Sequence, residues 1–249
     1  NGIQNLEDKN YTNDFGGTSS ATPLTSGIIA LILQANPELS WRDVQHILVN
    51  SADKVDKESE GWLTNSAGYE FNHDYGFGRV DAEAAVLLAK SWKNVATEVS
   101  ATITENPKKN IPEMGNGPLI RKVTINQDIN IETVEIPFAS NHDYVGDLEI
   151  KLISPSGTTS IIAETRTDDT KGIDFTFSAK TFWGESSQGE WTLEISDGSK
   201  GDSGKLKSWG INIYGTPGRD FDDKLRSRSK IFKDPITGTF NNTCSFLLN

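Results

Sequence analysis

The sequence predicts a multi-domain chain in which helices belonging to a larger domain are followed by an all-β sandwich. Three observations carry this expectation. Gly16 and Gly17 lead into an apolar run, Leu24 to Leu33, of helix length. Helical spacing of apolar residues persists to Trp92. Near Val95 it gives way to alternation with a period of two, which continues to Gly215.

A length of 249 residues sets a prior of one or two domains. A hydrophobic content of 35% with nine prolines fits a folded chain with many turns. The net charge of −11 speaks against binding nucleic acid or an anionic membrane, and is compatible with basic substrates. No run of about 18 apolar residues is present, so no membrane span is predicted, and no signal peptide opens the chain. Cys244 is the only cysteine, which rules out an intrachain disulfide and leaves stability to packing or bound ions. Sequons at Asn10 and Asn241 are compatible with secretion, although such triplets often arise by chance.

Taken in order, residues 1–15 are polar, and Asn10–Phe15 reads as a short strand or turn. Gly16-Gly17-Thr18-Ser19-Ser20-Ala21-Thr22-Pro23 then reads as a tight turn feeding a helix. Glycine lets the backbone turn without a Cβ clash, and Pro23 fits a first helical turn. The helix should end near Asn36, because Pro37 cannot continue it. It is apolar nearly all round, the mark of a helix buried in a larger core. Ser40-Trp41-Arg42-Asp43 is a capping-box variant opening a second helix with Trp41, Val44, Ile47 and Leu48 at helical spacing, expected to pack on the first. Asp53 to Asn72 is polar, holds Gly61-Trp62 and Gly68-Tyr69, and reads as a loop or short hairpin. Asp81 caps a third helix carrying Ala82, Ala85, Val86, Ala89 and Trp92.

From Val95 to Gly215 the pattern gives about eight strand candidates, as in a sandwich or barrel. Leu148, Ile150 and Leu152 alternate with Glu149, Lys151 and Ile153. Ile173/Phe175/Phe177, Trp191/Leu193/Ile195 and Trp209/Ile211/Ile213 repeat the alternation, with turns such as Pro155-Ser156-Gly157 and Gly201-Asp202-Ser203-Gly204 between them. The domains are therefore expected at 1–94 and 95–217. Residues 218–249 form a tail with six basic and four acidic residues, read as flexible, in which Leu225–Ser229 is a basic linker.

Gly17-Thr18-Ser19-x-Ala21-x-Pro23 resembles the nucleophile motif of the subtilisin-like serine proteases. Trp41-Arg42-Asp43-Val44-Gln45-His46 and Tyr75-Gly76-Phe77-Gly78-Arg79-Val80-Asp81-Ala82 look like the last helices of the kexin/furin branch, the proprotein convertases. His142-x-Tyr144-x-Gly146-Asp147-Leu148, Ser154-Pro155-Ser156-Gly157-Thr158, Phe182-Trp183-Gly184-Glu185 and Gly189-Glu190-Trp191-Thr192-Leu193 look like the P domain that follows the catalytic domain in that branch. The resemblance implies the C-terminal part of an α/β subtilisin-like domain, followed by a β jelly-roll P domain packed on the catalytic domain. The absence of disulfides departs from vertebrate convertases and points to a bacterial or otherwise divergent member.

On that resemblance Ser19 is the catalytic nucleophile and its own backbone N–H one oxyanion donor. The plain structural alternative is an ordinary N-cap serine. A serine hydroxyl needs a base to take its proton, and the base needs an orienting carboxylate. In subtilisins the chain order is aspartate, histidine, serine, yet no histidine precedes Ser19. His46, His73 and His142 lack the H-G-T context of the family and read as structural: on the second helix, in a turn, and at a strand entrance. Glu7, Asp8 and Asp14 lack the small-residue context of the family's aspartate. The chain is thus expected to lack the triad Asp and His, to depend on the upstream part of the catalytic domain as a partner, and to be inactive alone.

The function implied is a serine endopeptidase acting on peptide or protein substrates after basic residues, in the secretory pathway, periplasm or outside the cell. The resemblance also implies Ca2+ and no organic cofactor. Asp143, Asp147, Asp197 and Asp202 are carboxylates in P-domain turns that ordinary turn chemistry explains, or that supply oxygen ligands. The alternative function is a non-catalytic β-sandwich module that stabilises or binds a partner, the serine motif being a fold remnant.

Overall fold

Capping chemistry sets where the helices begin. The computed structural model describes residues 16–218; the expectations for Asn10–Phe15, both sequons, Cys244 and the tail beyond Gly218 lie outside the described residues. Helix α1 spans Thr18–Ala35, α2 Trp41–Ser51 and α3 Ala82–Lys90. The Ser40–Asp43 capping box closes in both directions, and Asp81 accepts the Ala84 N–H at 2.9 Å. Each such cap contributes about 1 kcal/mol.

Two expectations for the helices change. Helix α1 starts at Thr18, so Pro23 lies inside it rather than in its first turn, and Ser19 belongs to the helix itself. Gly17 makes the earlier start possible: it is the N-cap at φ 74° and ψ −168°, a conformation that a Cβ would strain. The helices also pair differently, with α3 packing against both α1 and α2. The small side chains of Ala85 and Ala89, both fully buried, let α3 approach closely. Asn36 Nδ2 donates to the Ala89 carbonyl (3.0 Å), and the Trp92 indole donates to Asp43 Oδ1 (2.9 Å).

These helices form one compact unit, comprising the described residues 16–53 and 79–94. Within it Asp53 and Arg79 exchange both backbone hydrogen bonds at 2.8 Å. The surface of α1 is only partly covered: Ile32 is buried, while Leu24 is 70% exposed.

The second unit comprises 54–78 and 95–218. Its first part is the short hairpin anticipated between Asp53 and Asn72, formed by β1 (Leu63–Thr64) and β2 (Glu70–Phe71). Its second part is an antiparallel two-sheet sandwich. One sheet has the order β5 (Leu119–Ile125), β10 (Gly189–Asp197), β7 (Leu148–Ile153), β8 (Thr159–Ala163). The other runs β3 (Val99–Glu105), β11 (Lys205–Pro217), β6 (Ile129–Ser140), β9 (Ile173–Ala179), with β4 (Lys109–Asn110) also pairing with β11.

Alternation decides what lies between the sheets. Leu148, Ile150, Trp191, Leu193, Trp209 and Ile211 are all buried in one core, as the period-two pattern requires. Phe175 departs from its pattern. It stands on the same face as Phe177 but is 56% exposed, because among the described residues β9 is an edge strand paired only with β6.

Candidate active site

Ser19 sits in the first turn of α1, exposed, two residues after the positive-φ Gly17. Four neighbouring hydroxyls fold back on the helix: Ser20 donates to the Gly17 carbonyl, Thr22 to Thr18, Thr25 to Ala21 and Ser26 to Thr22, at 2.9–3.0 Å. This back-bonding is the usual fate of serine and threonine inside a helix. Ser19 is different, since its hydroxyl bonds to none of the described residues. Its backbone N–H is among the first-turn amides that a helix leaves without an intrahelical acceptor, at the positive end of the dipole.

None of the three histidines hydrogen-bonds to Ser19. His46 lies on α2, buried, with its ring 6.1 Å from that of Trp92. His73 is exposed in the turn after β2, edge-on to Phe71. His142, fully buried between β6 and β7, has Nδ1 2.8 Å from the Tyr144 carbonyl and Nε2 3.2 Å from Asp197 Oδ2. That His–Asp pair has the look of half a triad. Both nitrogens are committed inside the sandwich core, where no substrate reaches them, so the pair is structural.

The aspartates considered for calcium divide in the same way. Asp143 pairs with Lys171 at 2.6 Å; the ammonium holds its carboxyl below the usual carboxylate range, and the Ser203 N–H adds to the effect. Asp197 is taken by His142 and by the Ser199 N–H. Among the described residues no group of three or more His, Cys, Asp or Glu side chains is arranged to hold a metal ion. Asp143 and Asp197 thus spend their carboxylates on protein partners.

Reading the sequence alone misses another polar cluster. Asn65, between β1 and β2, and Glu185, after Trp183, are both buried and hydrogen-bonded to each other's segments. The Asn65-Ser66-Ala67-Gly68 order is an available signal, because asparagine before small residues and glycine favours a side-chain-closed turn.

Comparison with known proteins identifies the family of each segment. Residues 2–78 match the Subtilase family, and residues 131–213 match the Proprotein convertase P-domain. The chain is a member of the subtilisin/kexin family. It is 38% identical over 240 residues to "Proprotein convertase subtilisin/kexin type 6" of Rattus norvegicus, covering 89% of this chain and 26% of that protein. It is also 38% identical over 225 residues to "Kexin" of Candida albicans, covering 80% of this chain and 24% of kexin. The chain thus spans about a quarter of the length of these curated relatives. Among solved structures, the serine protease of Aeromonas sobria in complex with its chaperone superposes with a TM-score of 0.76 at 29% identity, covering 82% of this chain and 45% of that one. The fold class expected from the sequence, a subtilisin-like segment followed by an all-β sandwich, agrees with these matches.

Proposed function

We propose that Ser19 is the nucleophile of a serine endopeptidase that cleaves peptide bonds through an acyl-enzyme. The observation that carries this reading is the subtilase-matched helix entrance, at which Ser19 stands exposed in the first turn with its hydroxyl bonded to none of the described residues. In the proposed reaction Ser19 Oγ attacks the scissile carbonyl carbon while a histidine takes its proton. The Ser19 N–H stabilises the oxyanion, and the proton passes to the departing amine. Water then releases the acyl group and restores the hydroxyl.

The histidine and its aspartate would come from the protease-domain segments that the relatives carry and this match does not include. The chain by itself is then inactive. A preference for basic residues before the scissile bond is proposed from the resemblance to kexin and the proprotein convertases, and with it a place in a secretory or extracellular setting. Ca2+ remains a proposal from the family alone.

A panel of peptide substrates differing only before the scissile bond tests the specificity. With the complete protease domain, arginine should give kcat/KM at least about 100-fold above alanine, as buried charge recognition allows. Equal rates would remove the basic preference. The non-catalytic reading is favoured by one observation, the lack of a base on Ser19 among the described residues. A burst of leaving group from an arginine ester, stoichiometric with enzyme, would count against it.

A further inference from the structure

The family boundary and the physical boundary of this chain do not coincide. Residues 54–78 lie within the subtilase match, which ends at residue 78, yet they form one compact unit with the sandwich. The contacts show why. Asn65 uses all its hydrogen-bonding capacity: Nδ2 donates to the carbonyls of Thr181 and Trp183, both at 2.9 Å, and Oδ1 accepts the N–H groups of Ala67 (3.1 Å) and Tyr69 (3.0 Å). One side chain therefore closes the turn and fastens it to the strand-connecting segment after β9.

Glu185 completes the attachment from the other side. It is 2% exposed, and its carboxylate accepts the Ser66 N–H (2.9 Å), the Ser156 hydroxyl (2.9 Å) and the Thr158 hydroxyl. A buried carboxylate is tolerated only when such donors surround it, and one of the three comes from the hairpin. The apolar contacts follow the same line. Phe77 meets Tyr69 at 6.3 Å and Trp183 at 6.0 Å between ring centroids, edge to face in both cases.

We propose that the end of the sandwich around Glu185 and the carbonyls of Thr181 and Trp183 is a docking socket for an asparagine-closed polypeptide turn. In this chain its occupant is Asn65–Tyr69. Asn65 and Glu185 are its positioning residues, and the 54–78 segment folds with the sandwich rather than with the helices. The proposal does not rest on the chemistry of Ser19.

Native-state hydrogen exchange on the full chain tests it. Asn65→Ala should speed exchange of the Ala67 and Tyr69 amides by about tenfold or more, since each lost buried hydrogen bond is worth about that factor. Glu185→Gln should act first on the Ser66 amide. Asp43→Ala, which removes the α2 cap and the Trp92 hydrogen bond, should speed exchange in α2 and α3 by about tenfold while leaving residues 63–71 within about twofold. The helix variant keeps the test decisive even if the Asn65 variant does not fold. Hairpin amides that accelerate with α2, or that ignore Asn65→Ala, would overturn the proposal.

Discussion

Replacing Ser19 by alanine in the protein with a complete protease domain should lower kcat by about 10⁶-fold, the scale seen when a serine protease loses its nucleophile. A residual rate of about 10³–10⁴-fold over water should persist, carried by substrate binding and oxyanion stabilisation. The fold should not notice the change. The hydroxyl is exposed and bonds to none of the described residues, so its removal leaves no buried group unpaired. Alanine is also the better helix former, by a few tenths of a kcal/mol. The urea midpoint should therefore stay level or rise slightly while turnover disappears. A variant retaining more than about a tenth of the parent kcat would remove Ser19 from the chemistry.

The largest loss of stability should come from Trp191→Ala. Trp191 is fully buried on β10, which hydrogen-bonds with β5 on one side and β7 on the other. Its ring meets Phe182 edge to face at 5.1 Å, and its indole N–H donates to the Ser187 carbonyl at 2.9 Å. Truncation removes the transfer free energy of the ring, opens a cavity and strands that carbonyl, at a cost of about 3–5 kcal/mol. Against a typical total of about 5–15 kcal/mol, this leaves the sandwich marginal. Urea unfolding should show a lower midpoint with an unchanged slope. A midpoint shift worth under about 1 kcal/mol would mean that β10 is not central to the core.

The sandwich was legible in the sequence because each buried strand writes its own alternation. Trp191, Leu193 and Ile195 need no partner to announce a buried face, and the caps at Ser40 and Asp81 are equally local. Phe175 carries the same alternation but stands at a sheet edge, and edge position depends on strand order, which no local pattern records. The start of α1 was hidden for a related reason. Pro23 is a strong local mark of a first turn, but the left-handed Gly17 lets the helix begin five residues earlier. Grouping of the hairpin with the sandwich depends on Asn65 meeting residues more than a hundred positions away.

The serine motif was legible through Gly17, Ser19 and Pro23, whereas the triad partners were not, because no histidine or aspartate of this chain stands in the family's context. Helix α1 shows the same dependence. Its all-round apolar sequence calls for cover that the described residues give only in part, with Leu24, Leu31 and Leu33 exposed. On the proposed reading, the remaining protease-domain segments supply both the cover and the base.

Labelling with a fluorophosphonate probe, followed by mass spectrometry of the modified peptide, tests this most directly. The probe bonds to a serine only when a base activates it. With the complete protease domain, label should appear on the peptide containing Ser19 and be lost in Ser19→Ala, while the 249-residue chain alone stays unlabelled. Label on another serine would contradict Ser19 as nucleophile, and labelling of the 249-residue chain at a comparable rate would contradict the need for outside partners.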